Sequence, residues 1–293
     1  MANTKLKKRT NNNITWKAIF GLFMFIVLGG VGIVGVVMYY HFDWAVLSDI
    51  SFYENLANPS IRIVPITEGL RKEQIAEIVG SKLGWDKKEK NQFTTTTLAF
   101  ANETTIHAVE NSSRTTENVE GYLFPKTYML YRYDDPTTVQ KIMFNTLQQQ
   151  MNSIQKSKNT QIISEQTALT IASIIQREAG GKSDMNLISG IIWNRLFKGM
   201  RLQIDATLQY AKGTKDIWWP QVDPKDKAID SPYNTYKYSS LPPSPISSPG
   251  LAAITAAYNP EKTNCLYYLH DRNRQIHCST TYAGHLKNIA RYY

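Results

Sequence analysis

Glu178 is the residue of this sequence best placed to do chemistry, because it is a carboxylate on the apolar side of a predicted helix. Ser164 can cap this helix, which runs to about Ala179 and stops at Gly180-Gly181. Glu178 projects from the same face as the apolar residues of the helix, which are Ala168, Ile171, Ala172, Ile174 and Ile175. Burial at such a place raises the pKa of a carboxyl group, as a general acid that works at neutral pH requires.

The same pattern has a second interpretation, in which Glu178 lies at the edge of the apolar stripe and meets water where the helix ends. Asp205, His277 and His285 are further candidates, although a lone histidine is more often structural than catalytic. The run Tyr233-Asn234-Thr235-Tyr236 is dense in side-chain donors, as a sugar subsite would be. Proline-rich loops also carry such residues for reasons of turn geometry, so the run alone leaves both interpretations open.

Other kinds of catalytic site find no support in the sequence. It contains no nucleophile elbow, phosphate-binding loop, zinc-binding helix or dinucleotide fingerprint. Its two cysteines and five histidines are not spaced as a cluster of metal ligands. We therefore predict no metal and no cofactor.

The elements that must position these residues follow an α+β pattern. A strand at 61–64, a turn at 67–69 and an amphipathic helix that stops at Gly84 make a small module. Further helices are predicted over 136–155, from Ser164 to about Ala179, from Ser183 or Asp184 through Phe197, and over 250–259. Beyond Met200 the sequence changes character, and short extended pieces alternate with proline-rich turns.

An uncharged apolar run from Ala18 to Tyr40 predicts a single membrane anchor. About 23 residues make a helix of roughly 34 Å, long enough for a hydrocarbon core of about 30 Å. The residues before it carry five positive charges and no negative charge, which predicts a cytoplasmic N-terminus and an extracytoplasmic remainder. A cleaved signal peptide is the alternative, but its apolar region is usually shorter and ends in a small-residue site that is missing here.

The distribution of charge and cysteine bears on partner and compartment. The formal net charge is +9, but without the predicted tail the chain carries about +4, which together with 17 tyrosines and 6 tryptophans suits an anionic, sugar-rich polymer. The basic block near the membrane has a topological explanation, so no nucleic-acid partner is predicted. Cys265 and Cys278 flank two short predicted strands, and a cross-strand disulfide and two free buried thiols are both compatible with that pattern.

Several separated segments of the chain occur in the order typical of one family. They are VEGYLFPKTY (119–128), ASIIQREA (172–179), WNRLFKGMRLQIDATLQYA (193–211), SPYNTYKYSSLPPSPISSPGLAAITAAYNP (231–260) and LYYLHDRNRQIHCSTTYAGH (266–285). Over roughly residues 61–293 the chain resembles the YceG-like family, the membrane-bound endolytic murein transglycosylases. The resemblance implies lytic cleavage within the glycan strands of peptidoglycan.

The resemblance also implies roles for individual residues. The catalytic glutamate of the family maps onto Glu178, whose carboxyl group would act twice. As an acid it protonates the glycosidic oxygen between N-acetylmuramic acid and N-acetylglucosamine. As a base it helps the muramic 6-hydroxyl attack C1, giving a 1,6-anhydro end without water. Asp205 would then orient groups rather than act as a nucleophile. The candidates for substrate contact are Gln203, Asp205, Tyr233, Asn234, Thr235 and Tyr236.

The expected organisation combines the anchor with two outer parts. It comprises a basic cytoplasmic tail (1–17), a transmembrane helix (18–40), a connector (41–60), a LysM-like α/β module (61–93) and a mixed α/β catalytic domain (94–293). The expected partners are peptidoglycan strands and the cell membrane, with the cell-wall synthesis machinery as a further candidate. Two rival functions stay open: a membrane-anchored glycan-binding protein without efficient catalysis, and a hydrolase that uses Glu178 and Asp205.

Overall fold

The computed structural model describes residues 58–95, 98–99, 115–116, 118–158 and 160–292. The chain divides into the units Met1–Pro59 and Ser60–Tyr293, and the elements below belong to the second. The strands are β1 (Ile61–Pro65), β2 (Leu98–Ala99), β3 (Thr115–Thr116), β4 (Thr127–Tyr131), β5 (Tyr267–His270) and β6 (Ile276–Ser279). The helices are α1 (Lys72–Leu83), α2 (Lys87–Thr95), α3 (Pro136–Asn152), α4 (Glu165–Glu178), α5 (Met185–Phe197), α6 (Asp205–Lys212), α7 (Leu251–Tyr258) and α8 (Tyr282–Tyr292), with a 3-10 turn over Pro224–Ala228.

The predicted membrane anchor is not covered by this description. The tail, the run Ala18–Tyr40 and nearly all of the connector lie outside the described residues. Among the helices that are described, none has both the length and the apolar character that a membrane span requires. The described part is a mixed α+β structure, in which three antiparallel sheets of two strands each accompany the helices.

The first strand and helix agree with the sequence pattern. β1 pairs with β4 in antiparallel register, with Ile61 opposite Tyr131 and Pro65 opposite Thr127. α1 follows and ends at Gly84, whose φ of 82° lies in the left-handed region that glycine adopts without steric cost. The predicted strand, helix and glycine stop are confirmed.

The hydrophobic core around β1 extends beyond residue 93. Residues of the helices α1 and α2 share it with residues from 119 to 143, because β4 pairs with β1 and α3 packs against α2. Its members include Val64, Ile75, Val79, Leu83, Trp85, Phe93, Val119, Leu123, Tyr128, Leu130, Val139 and Met143. Residues 61–93 therefore do not enclose a core alone, and their LysM-like character stays a prediction.

α4 lies at the centre of a second hydrophobic core. Ser164 caps it as predicted, since its Oγ accepts a hydrogen bond from the backbone N–H of Thr167 at 3.1 Å. The predicted apolar face is fully buried, and it packs against α5 and α7. Residues on this face that have no exposed surface are Ala168, Ile171, Ala172, Ile174 and Ile175. The core fixes the direction in which the last turn of α4 points.

A buried acid, Glu120, connects the two cores. The side chain has no exposed surface, and it accepts hydrogen bonds from the backbone N–H of Lys72 at 3.1 Å and from the Tyr210 hydroxyl at 3.2 Å. Burial raises the pKa of Glu120 to about 8, so the carboxyl group is neutral at pH 7. Glu120 therefore ties the start of α1 to α6 without burying a charge.

The C-terminal hairpin is closed by a disulfide. β5 and β6 pair in antiparallel register with Tyr268 directly opposite Cys278, and Cys278 is bonded to Cys265. Of the two interpretations of the cysteines, the structure has the disulfide. α8 packs against both strands of the hairpin. The covalent link holds β5 in place, and β5 carries two side chains of the site described next.

Candidate active site

Two elements, β5 and α6, converge on the carboxyl group of Glu178, the last residue of α4. From β5, the Tyr268 hydroxyl donates a hydrogen bond of 2.8 Å to Glu178 Oε2. From the first turn of α6, the backbone N–H of Ala206 also donates to this carboxylate. Asp205 and His270 are close enough to act on it electrostatically. Glu178 is thus a half-buried acid with a hydroxyl, a helix N-terminus and two ionisable groups around it.

The surroundings of Glu178 act on its pKa in two directions: some favour the neutral carboxyl group, and others stabilise the ionised one. Burial is the largest influence and raises the pKa of Glu178 above its ordinary value, and the negative charge of Asp205 raises it further. The hydrogen bonds from Tyr268 and Ala206, and the nearby His270, act in the opposite direction. A carboxyl group in such a setting can release a proton and take one back, because donors are in place for its charged form.

Asp184 clamps the turn that follows Glu178. Its side chain is 5% exposed, and its two oxygens accept hydrogen bonds from the backbone N–H groups of Gly180 at 2.8 Å and Gly181 at 3.2 Å. Its Oδ2 also lies 2.6 Å from His270 Nε2. Asp184 lies at the predicted start of α5, but its side chain makes no capping hydrogen bond to that helix. Asp184 instead ties the end of α4 to β5.

Two of the predicted substrate-contact residues lie beside Glu178. Tyr236 donates a hydrogen bond of 2.6 Å to Asp205 Oδ1, and Asp205 is exposed at the first position of α6. Burial is the main cause that raises the pKa of Tyr236, and the charges of Asp205 and Glu178 raise it further. Gln203 lies two residues before Asp205, is exposed, and has a left-handed φ of 54°. Asp205 and Tyr236 thus present polar groups next to the acid, and Gln203 lies exposed on the segment that leads to them.

Asn234 and Thr235 hold the loop from inside the protein, in place of the sugar contacts expected of them. Asn234 has no exposed surface, and its amide donates to the carbonyl oxygens of Lys227 at 3.1 Å and Ile229 at 2.7 Å. Thr235 is 2% exposed, and its Oγ1 accepts a hydrogen bond from the backbone N–H of Ile204 at 3.0 Å. Both side chains are occupied by the protein itself, so they act as positioning residues for Tyr236 and Asp205.

Tyr233 belongs to a different neighbourhood of the protein. Its hydroxyl shares a hydrogen bond of 2.6 Å with the Ser244 hydroxyl, and its ring packs 4.8 Å from that of Tyr210. Tyr210 in turn bonds to the buried Glu120. Tyr233 therefore lies on the Glu120 side of α6, whereas Tyr236 lies on the Glu178 side.

The two candidate histidines have structural surroundings. His277 Nε2 is 3.0 Å from Asp271 Oδ2, and its ring stacks on Tyr292 with centroids 3.6 Å apart. The ring of His285 stacks on Tyr267. These contacts join the hairpin to α8, which favours the structural interpretation of both histidines.

Sequence reasoning missed Tyr268, His270 and Asp184. One signal was available, because residues two apart on a strand share a face, so Tyr268 and His270 had to project together. Nothing local indicated that this face meets Glu178, which is 90 residues away in sequence. The position of Asp184 at the start of a helix likewise gave no sign that its side chain contacts His270.

Tyr268→Phe is expected to move the alkaline limb of the pH–activity profile to higher pH. A general acid must be protonated, so activity falls as pH rises through the pKa of Glu178. The Tyr268 hydrogen bond lowers that pKa, and its loss therefore raises the pKa of Glu178 further. The measurement is kcat/KM for glycan cleavage as a function of pH. Tyr267→Phe, one residue earlier on β5, is the control and should leave the limb in place. A limb that stays fixed or moves to lower pH in Tyr268→Phe contradicts the assignment.

Comparisons with known proteins agree with the resemblance in the sequence. A model of the YceG-like family matches residues 40–291. The chain is 34% identical over 245 residues to a Bacillus subtilis protein named endolytic murein transglycosylase, covering 78% of this chain and 64% of that protein. It is 31% identical over 255 residues to a Streptococcus pneumoniae protein of the same name, covering 80% of this chain and 45% of that protein. The chain thus spans less than two thirds of the length of these curated relatives.

A solved structure extends the similarity to the fold. The chain resembles a yceG-like protein from Listeria monocytogenes, known from a crystal structure, with a TM-score of 0.59 and 29% sequence identity. The similarity covers 79% of this chain and 76% of that one. The agreement in fold and sequence over the same large share of the chain supports a common architecture.

Proposed function

The chain belongs to the YceG-like family, and from that premise we propose that it is a lytic enzyme that cleaves glycan strands of peptidoglycan at internal positions. The observation that carries the proposal is the setting of Glu178. Burial raises its pKa, and a tyrosine hydroxyl and a backbone N–H are poised to stabilise its charged form. The names of the relatives from Bacillus subtilis and Streptococcus pneumoniae point to the same activity.

The proposed reaction uses the Glu178 carboxyl group in both directions. The neutral acid gives its proton to the glycosidic oxygen as the bond from C1 of N-acetylmuramic acid to that oxygen breaks. The muramic 6-hydroxyl then attacks C1, and its proton passes to the Glu178 carboxylate, which restores the acid. One strand leaves with a 1,6-anhydro end and the other with a free N-acetylglucosamine hydroxyl. No water is consumed, so this is a lyase reaction and not a hydrolysis.

The neighbours of Glu178 match the two stages of this reaction. The neutral form is favoured before bond cleavage by burial and by the charge of Asp205. The ionised form, present between the two steps, is stabilised by Tyr268, by the Ala206 N–H and by His270. Asp205 accepts a hydrogen bond from Tyr236 and keeps an orienting role. Gln203, Asp205 and Tyr236 are the proposed sugar contacts.

The proposed location is the outer face of the cell membrane. The apolar run Ala18–Tyr40 would anchor the chain, with the basic residues before it in the cytoplasm. The disulfide between Cys265 and Cys278 supports this placement, because disulfides persist in oxidising compartments. An anchored enzyme of this kind would cut strands close to the membrane, where it would terminate nascent strands and could meet the cell-wall synthesis machinery.

The proposal is tested by digesting purified glycan strands with the full-length protein in detergent or nanodiscs and weighing the products. We expect internal cuts that release a range of strand lengths ending in 1,6-anhydro-muramic acid. Reducing muramic ends would instead identify a hydrolase that uses Glu178 and Asp205. Binding without cleavage would identify an anchored glycan-binding protein, and either of these outcomes overturns the proposal.

A further inference from the structure

Arg177, the residue before Glu178, carries a guanidinium group that has no hydrogen bond in the described part of the chain. Its Nε atom is buried without a partner, and the side chain is half-buried. The guanidinium carbon lies 3.9 Å from the ring centroid of Trp219, and burial lowers the pKa of Arg177. Buried donors in proteins are nearly always satisfied, so a buried Nε held on an aromatic face without an acceptor indicates a place for an acceptor from outside.

A second guanidinium, that of Arg71, approaches the same tryptophan. Arg71 is 8% exposed, and its guanidinium carbon lies 4.2 Å from the Tyr210 ring and 6.0 Å from the Trp219 ring. Its Nη1 donates to the carbonyl oxygens of Tyr210 and Trp218, whereas its Nε lacks a hydrogen bond. A single carboxylate oxygen, Glu73 Oε2, lies 3.5 Å from that Nε. Glu73 is the carboxylate beside Arg71, and Glu178, whose burial favours the neutral form, is the acid that acts on Arg177. While Glu178 is neutral, the two cations outnumber the one carboxylate, and an anion is the ligand that such an aromatic cluster suits.

The aromatic cluster and the catalytic acid contact the same helix, α6, at different positions. Glu178 meets the backbone of Ala206 in the first turn of α6, and the ring of Tyr210 meets Arg71 and Trp219 four residues further on. Four residues of helix correspond to roughly 6 Å. Glu178 and the Trp219 cluster therefore contact α6 about one helical turn apart, which places the cluster within reach of a substituent of the sugar being cut.

We propose that Arg177, Arg71 and Trp219 form a subsite for a carboxylate of the peptide stem that is attached to the muramic acid at the cleavage position. The proposal rests on the proposed glycan-cleaving function. The planar guanidinium of Arg177 matches a carboxylate through two parallel hydrogen bonds, and the Trp219 ring holds it in one orientation. The stem is joined to the lactyl group of the same muramic ring whose C1 is cleaved, so the strand bound at Glu178 brings the carboxylates of that stem to the same part of the protein.

The test compares one strand preparation in two forms. Peptide-bearing strands are used with their carboxylates free or converted to methylamides with carbodiimide and methylamine, and kcat/KM is measured for each. The wild type should prefer the free form by about tenfold, mainly through KM. Arg177→Gln should bring the ratio close to one, and Arg177→Lys should give an intermediate ratio, because lysine keeps the charge but not the fork. Arg291→Gln, which removes an exposed arginine from the ring of Tyr292 in α8, should keep the wild-type ratio.

The ratio separates this proposal from the proposed function. Cleavage of both forms at equal rates by the wild type, or an unchanged preference in Arg177→Gln, overturns the subsite while leaving the glycan-cleaving function intact. Absence of cleavage of either form counts against the function itself. In that case the subsite is tested by co-sedimentation of the two strand forms with the same variants. The wild type should bind the free form about tenfold more tightly, and Arg177→Gln should bind both forms equally. Equal binding of both forms by the wild type, or an unchanged preference in Arg177→Gln, overturns the subsite.

Discussion

Glu178→Gln is expected to lower kcat/KM for glycan cleavage by about a thousandfold or more while leaving the fold intact. Glutamine has the shape of glutamic acid and can still accept the Tyr268 hydrogen bond, but it cannot give up and regain a proton. General acid–base groups contribute about 10² to 10⁴ in rate, and here one group performs both roles. The measurement is release of cleaved strands with circular dichroism and thermal unfolding as checks of folding.

Glu261→Gln is the matched control, because Glu261 is exposed and has no part in the proposed reaction. It should cleave strands at the wild-type rate. A Glu178→Gln protein that retains more than a tenth of the wild-type activity would show that another group supplies the proton. The assignment of Glu178 as the acid would then be wrong.

Asp184→Ala is expected to have the second largest effect, on both stability and activity. It leaves the N–H groups of Gly180 and Gly181 and the His270 ring without their shared acceptor, at a site that is 5% exposed. Loss of one partner from such a buried cluster costs about 3 kcal/mol in the free energy of unfolding. Because the turn follows Glu178 directly, we also expect kcat/KM to fall by about 10- to 100-fold at a temperature where the variant is fully folded.

The hairpin offers a matched control for this variant. Asp271 accepts hydrogen bonds from the backbone N–H groups of Asn273 and Gln275, and it pairs with His277 at 3.0 Å. It repeats the arrangement of Asp184 at a turn that does not follow Glu178. Asp271→Ala should therefore lose stability but retain most of the activity. Equal losses of activity in the two variants would mean that Asp184 has only a general structural role.

Local sequence patterns predicted most of the helices that build the site. The periodicity of α4 and its cap at Ser164 were sufficient to place Glu178 at the end of a buried face. α6 was interpreted as part of an irregular region, because it is only eight residues long and begins at Asp205 without a side-chain cap on its first turn. Its helical form depends on packing against α4, which a local pattern does not contain.

The contacts around the acid were beyond prediction from the residues alone. Tyr268 is separated from Glu178 by 90 positions, and Asp184 from His270 by 86. Such pairs form because the disulfide-linked hairpin packs beside the end of α4, and hydrophobic periodicity does not specify that arrangement. The same limit applies to Asn234 and Thr235, whose polar side chains suggested ligand contacts but are used within the loop. Donor-rich loops need their internal hydrogen bonds counted before a ligand is assigned to them.

The central claim is that Glu178 acts alone in acid and base roles, so that no water enters the products. Digestion of glycan strands in water enriched in ¹⁸O, followed by mass spectrometry of the new ends, tests it directly. The account predicts new muramic ends that carry no ¹⁸O and are lighter by one water than hydrolysed ends. New muramic ends that each contain one ¹⁸O atom would contradict it and would require an attacking water in the site of Glu178 and Asp205.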